Sequence, residues 1–68
     1  MSEAAAVARK LARGSASAVL NLAAARNGDV IVQRDARAEL TRHELVTPIG
    51  GNRYRLTSLG EQVAKALR

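Results

Sequence analysis

Tyr54 is the only aromatic residue in the chain, which has no Trp and no Phe. Any core must therefore be built from Ala, Val, Leu and Ile, side chains that bury less area than aromatic ones. A chain of 68 residues has room for one domain, 1–68, with one modest core, because short chains bury a smaller fraction of their surface than long ones. Burial at roughly 25 cal/mol per Å² must offset an ordering cost of similar size, so marginal stability or help from a partner subunit is expected. An elaborate active site is not expected.

Eleven Lys and Arg, most of them Arg, stand against six Asp and Glu, a formal net charge of +5. That balance favours a polyanionic partner, since arginine forks match phosphate oxygens and guanine edges bidentately. Cysteine is absent, which removes disulfides, thiolate metal sites and thiol catalysis. No apolar run approaches the roughly 20 residues that span a bilayer. The first twenty residues have the Ala, Ser and Arg content of an organellar transit peptide. As a first helix, however, they supply part of the core, and a cytoplasmic protein with no membrane role is the expectation.

Ser2 and Glu3 open a helical pattern in which Ala4, Val7, Ala8 and Leu11 share one face. Gly14 is expected to end it. Ser15 or Ser17 then caps a second helix with Ala16, Val19, Leu20, Leu22 and Ala23 inward, and Asn27-Gly28 supplies a left-handed stop. Val30-Ile31-Val32 suits a short strand. A helix follows from about Arg34 to His43, with Ala36 and Leu40 on its apolar side.

Leu45 to Ile49 and Arg53 to Thr57 flank Gly50-Gly51-Asn52, a hairpin turn. Alternation puts Tyr54 and Leu56 on one face with Val46, and Arg53 and Arg55 on the other. Pro48 lacks an N–H and belongs on an edge strand. Thr57 or Ser58 caps a last helix, with Ser58 and Glu61 spaced as a capping box and Val63, Ala66 and Leu67 inward. Gly60, inside that helix, implies close packing against a strand.

The order helix, helix, short strand, helix, hairpin, helix predicts an α+β fold, mostly α: a winged helix-turn-helix with a two- or three-stranded β-wing and a C-terminal helix. The run Leu40-Thr41-Arg42-His43-Glu44-Leu45-Val46, then Gly50-Gly51-Asn52-Arg53-Tyr54-Arg55-Leu56-Thr57 and Gly60, resembles the end of the recognition helix, the wing and the next helix of MarR-type and PadR-type regulators and their small phage-borne relatives. The resemblance covers about Val30 to Leu67. Glu44 stands where those proteins carry Gly, so it would need the left-handed helix stop at a cost of roughly 1 kcal/mol. The stretch from Gly28 to Arg34 is too short for a full additional helix. Either the helix-turn-helix is abbreviated, or the helix from Ser15 to Arg26 fills that role.

Helical spacing places Arg34, Arg37, Ala38 and Thr41 on one face with Arg42 beside them, opposite Ala36 and Leu40. Small and basic residues over an apolar floor suit entry into a major groove. Charge runs are usually solvated faces, and Asp35, Glu39 and Glu44 stand ready to pair with these arginines. Arg53 and Arg55 on the adjacent wing tip the balance toward double-stranded DNA. On this reading Arg34, Arg37, Thr41 and Arg42 contact base or phosphate, and Asn52, Arg53 and Arg55 grip backbone or minor groove.

His43 is read as a helix-end residue and Tyr54 as a core residue rather than as a switch and a stacking platform. Ser15, Ser17 and Ser58 sit at caps without a partner base, so no catalytic residue, cofactor, metal or small-molecule substrate is assigned. The expected function is a small DNA-binding regulator, a homodimer through its N-terminal helix. The alternative is a winged-helix protein-interaction module that docks on the transcription machinery.

Overall fold

The computed structural model describes residues 3–68. It is an α+β fold, mostly helical, with four helices and one three-stranded antiparallel sheet among those residues. The helices are α1 (Glu3–Lys10), α2 (Arg13–Ala24), α3 (Arg34–Arg42) and α4 (Ser58–Leu67). The strands are β1 (Asp29–Val30), β2 (Val46–Gly50) and β3 (Arg53–Leu56), in sheet order β1-β3-β2. Ser2, read as opening the first helix, lies outside the described residues. No described helix is long and apolar enough to cross a membrane.

The core is aliphatic, as the near absence of aromatics requires. Val19, Leu40, Leu45 and Val63 are fully buried, and Ala4, Leu22, Ile31, Ala36, Val46, Leu56 and Ala64 complete the cluster. Val7, Ala8 and Leu11 of the first segment pack against it together with Tyr54. The apolar face of α1 is thus turned onto the chain's own core, where α1 lies along α4.

Four local expectations are corrected. Gly14 does not stop the first helix: the break falls at Leu11 and Ala12, and Gly14 lies in the first turn of α2. There it lies against the side-chain amide of the exposed Gln33, which would have to swing aside to admit a Cβ. Neither Ser15 nor Ser17 caps α2, because the N-cap position belongs to Ala12, which has no side-chain cap. In α4 it is Ala64 that is buried, and Ala66 is exposed. Of the two alternatives at its start, Thr57 is the cap, accepting from the Gly60 N–H at 3.1 Å. Gly60 occupies the third position after that cap, so the capping box of Ser58 and Glu61 does not form.

The junction of α3 and β2 follows the sequence closely. Glu44 adopts φ 60°. The Glu44 N–H donates to the Thr41 carbonyl at 3.0 Å and the Leu45 N–H to the Leu40 carbonyl at 2.9 Å, a Schellman closure. Thr57 locks this corner from the other side: its hydroxyl donates to the Glu44 carbonyl at 2.7 Å and its N–H to the Leu45 carbonyl at 2.9 Å. Gly60 is packed so tightly against that Leu45 carbonyl that a Cβ there would overlap it. The start of β2 therefore leaves α3 in a fixed direction.

β2 is an edge strand carrying Pro48, as the missing N–H demands. The pairs Val46 with Leu56 and Pro48 with Tyr54 define the inner face, and Thr47 pairs with Arg55 on the outer one. A bulge at Ile49 leads into Gly50, Gly51 and Asn52, all in the left-handed region.

Candidate nucleic-acid interface

α3 has the two faces that its spacing requires. Ala36 and Leu40 are buried, and Arg34, Ala38, Thr41 and Arg42 are exposed, with Arg37 half-buried. The pairing of these arginines with Asp35, Glu39 and Glu44 does not occur: among the described residues, none of Arg34, Arg37 and Arg42 is held in an ion pair. Their guanidinium groups are free to meet an external anion.

Glu39 is engaged elsewhere, because it turns toward α2. Its carboxylate accepts from the Ser15 hydroxyl at 2.5 Å and from the Ala12 N–H at 3.3 Å. α2 begins with no acidic residue in its first turn and no side-chain cap. A carboxylate from α3 therefore satisfies one of its unpaired N–H groups and places negative charge at the positive end of its dipole. Ser15 is almost wholly buried, 2% exposed. Its hydrogen bond, above all, holds the Glu39 carboxyl below the usual Glu value of 4.5, aided by the Ala12 N–H and the charges at His43 and Arg42, while burial works in the opposite sense. This contact fixes α3 against α2 and so sets the direction in which the arginines point.

The wing is less uniform than its sequence implies. Asn52 sits exposed at the tip, φ 62°. Arg53 is exposed, yet its Nη2 donates to the Asn27 carbonyl at 2.8 Å and the Gly28 carbonyl at 3.1 Å, which ties the wing to the turn after α2. Arg55 is exposed with no such tether, and lines a groove with Arg26, Lys65 and Arg68 that contains no residue of α3. The structure thus brings Arg34, Thr41 and Arg42 together on one helix face, and gathers Arg55 with three cations that the sequence reading did not combine. Each of those three lies at or just beyond a helix C-terminus, and only the convergence of α2 and α4 makes them neighbours.

No helix stands between Gly28 and Arg34: β1 is followed by Ile31, Val32 and Gln33 without regular structure. The helix that precedes α3 and packs on it is α2. Comparison of the chain with protein-family models, with curated proteins and with solved structures finds no match.

Proposed function

We propose that this chain is a small DNA-binding protein, a non-enzymatic regulator of abbreviated winged-helix type, in which α3 enters a major groove and the hairpin β2–β3 acts as wing. One observation carries the reading. α3 sets its small and basic residues, Arg34, Ala38, Thr41 and Arg42, toward solvent without ion pairs, while its other face is anchored by Leu40, 0% exposed. Small residues allow close approach to the groove floor, and free guanidinium groups match guanine edges and phosphates. α2 serves as the companion helix, because it is the one that buttresses α3 through Glu39. Arg55 and Asn52 would meet the backbone, and Arg53 would do so with the donors left over from its tether.

A homodimer fits a footprint this small. Because α1 spends Ala4, Val7 and Ala8 on the core, its dimer contact would use the opposite side, around Ala6, Arg9 and Lys10.

The second reading, a protein-interaction module, draws on two exposed valines. Val30 and Val32, 48% and 89% exposed, flank a groove between α2 and the β1–α3 connection. Titration of random-sequence duplex DNA at low and at moderate salt separates the two. A DNA binder loses affinity steeply with salt, because each neutralised phosphate releases counterions. A module that docks on protein through the valines has almost no duplex affinity at either salt.

A further inference from the structure

The cationic excess of this chain is not on α3. Over α3 and the two residues that follow it, Arg34, Arg37 and Arg42 are matched one for one by Asp35, Glu39 and Glu44. The groove between α2, β3 and α4, about 360 Å³, instead gathers Arg26, Arg55, Lys65 and Arg68 against the lone carboxylate of Glu61. All four cations are exposed, and among the described residues none is in an ion pair.

The helix dipoles explain part of this arrangement. Arg26 follows α2, Lys65 is in the last turn of α4 and Arg68 is its C-cap, where cations are favoured. That accounts for each alone, but not for Arg55, which comes from a strand, nor for the convergence of both helix ends on it. Like charges over an apolar wall repel one another, and a counter-anion from outside removes that repulsion. The floor narrows the choice of anion. Leu22, Leu56 and Ala64 are buried, and only Ala23 and Ala25 are half-buried, so an acidic amphipathic peptide would find little apolar area. Guanidinium and ammonium donors are what the groove offers, and phosphate oxygens are their natural acceptors.

We propose that this groove is a second DNA-contacting surface, which takes backbone phosphates at a place that α3 does not reach. The proposal rests on the DNA-binding reading above. It makes the contact at this end of the molecule electrostatic and indifferent to sequence, and leaves sequence readout to α3.

The test measures affinity for a random-sequence duplex across a range of salt. The proteins compared are the parent, the triple variant Arg26→Gln/Lys65→Gln/Arg68→Gln, the α3 variant Arg34→Glu/Arg42→Glu, and Glu61→Gln. The triple variant should flatten the slope of log affinity against log salt by about 0.9 per lost contact and weaken low-salt binding by roughly tenfold or more. Glu61→Gln, which keeps every cation, should bind severalfold tighter, and it decides the matter should the triple variant fail to fold. If the triple variant and Glu61→Gln both bind as the parent does while the α3 variant fails, the groove proposal is overturned and the α3 reading stands. Loss in the triple variant with full binding by the α3 variant supports the groove and removes α3. A parent that binds poly-glutamate but no duplex overturns both.

Discussion

The Ser15 hydroxyl donates to the Glu39 carboxylate at 2.5 Å, across 24 residues of sequence, and with the Ala12 N–H it makes Glu39 the remote cap of α2. Replacing Ser15 by Ala should cost about 1–2 kcal/mol, the range for a hydrogen bond to a charged group that is only partly buried. Urea unfolding measures it. The same contact predicts an acid response. The folded Glu39 carboxyl lies below its usual value of 4.5, so its contribution is fully present above that pH and is lost as pH falls through the lower, folded value. The Ser15→Ala protein should therefore lose less stability between neutral pH and the acid range than the parent does. Parallel pH profiles would show that Glu39 is not held by Ser15.

Glu44 occupies a left-handed conformation, φ 60°, that suits glycine. Glu44→Gly should stabilise the fold by about 0.5–1 kcal/mol, the relief of backbone strain less the greater freedom glycine has when unfolded. The melting temperature should rise by several degrees, since about 1 kcal/mol corresponds to roughly 4–8 °C in a domain this small. A fall in melting temperature would mean that the Glu44 side chain stabilises the corner beyond its backbone cost.

Leu40 is fully buried under the basic face of α3. Leu40→Ala should cost about 2–5 kcal/mol, enough to unfold a marginal domain, as read by circular dichroism at ambient temperature. An unchanged melting curve would mean that Leu40 does not anchor α3.

Arg53 and Arg55, two residues apart on one strand face, should behave differently. Arg53→Ala removes two hydrogen bonds to the Asn27 and Gly28 carbonyls and should lower stability by about 1 kcal/mol as well as weaken DNA binding. Arg55→Ala should leave the melting temperature unchanged and flatten the salt dependence of duplex binding by about one unit. Equal stabilities for the two variants would contradict the tether.

These contrasts follow what was legible in the sequence. Periodicity placed the two faces of α3, and alternation separated Val46, Tyr54 and Leu56 from Arg53 and Arg55, because both signals are local. The strain at Glu44 was legible too, since a Schellman stop needs a left-handed residue. What escaped were relations across long separations. Gly14 and Ser15 carry the local marks of a stop and a cap, but Ser15 is committed to Glu39 and Gly14 lies inside the first turn of α2 beside Gln33, partners that only the packing of α2 on α3 supplies. Likewise the tether of Arg53 and the cluster of Arg26, Arg55, Lys65 and Arg68 depend on how α2, β3 and α4 meet. Ala64 replaced Ala66 in the core because helix spacing alone leaves a run of small residues ambiguous.

The claim that α3 is the DNA-reading element is tested most directly by Arg34→Glu/Arg42→Glu, since both side chains are exposed and unpaired. The measurement is the affinity of this variant and of the parent for duplex DNA at low salt, with circular dichroism spectra of both proteins recorded alongside. The account predicts that the variant keeps the parent's spectrum and loses duplex binding. An intact spectrum with undiminished binding would contradict it and show that α3 does not face DNA.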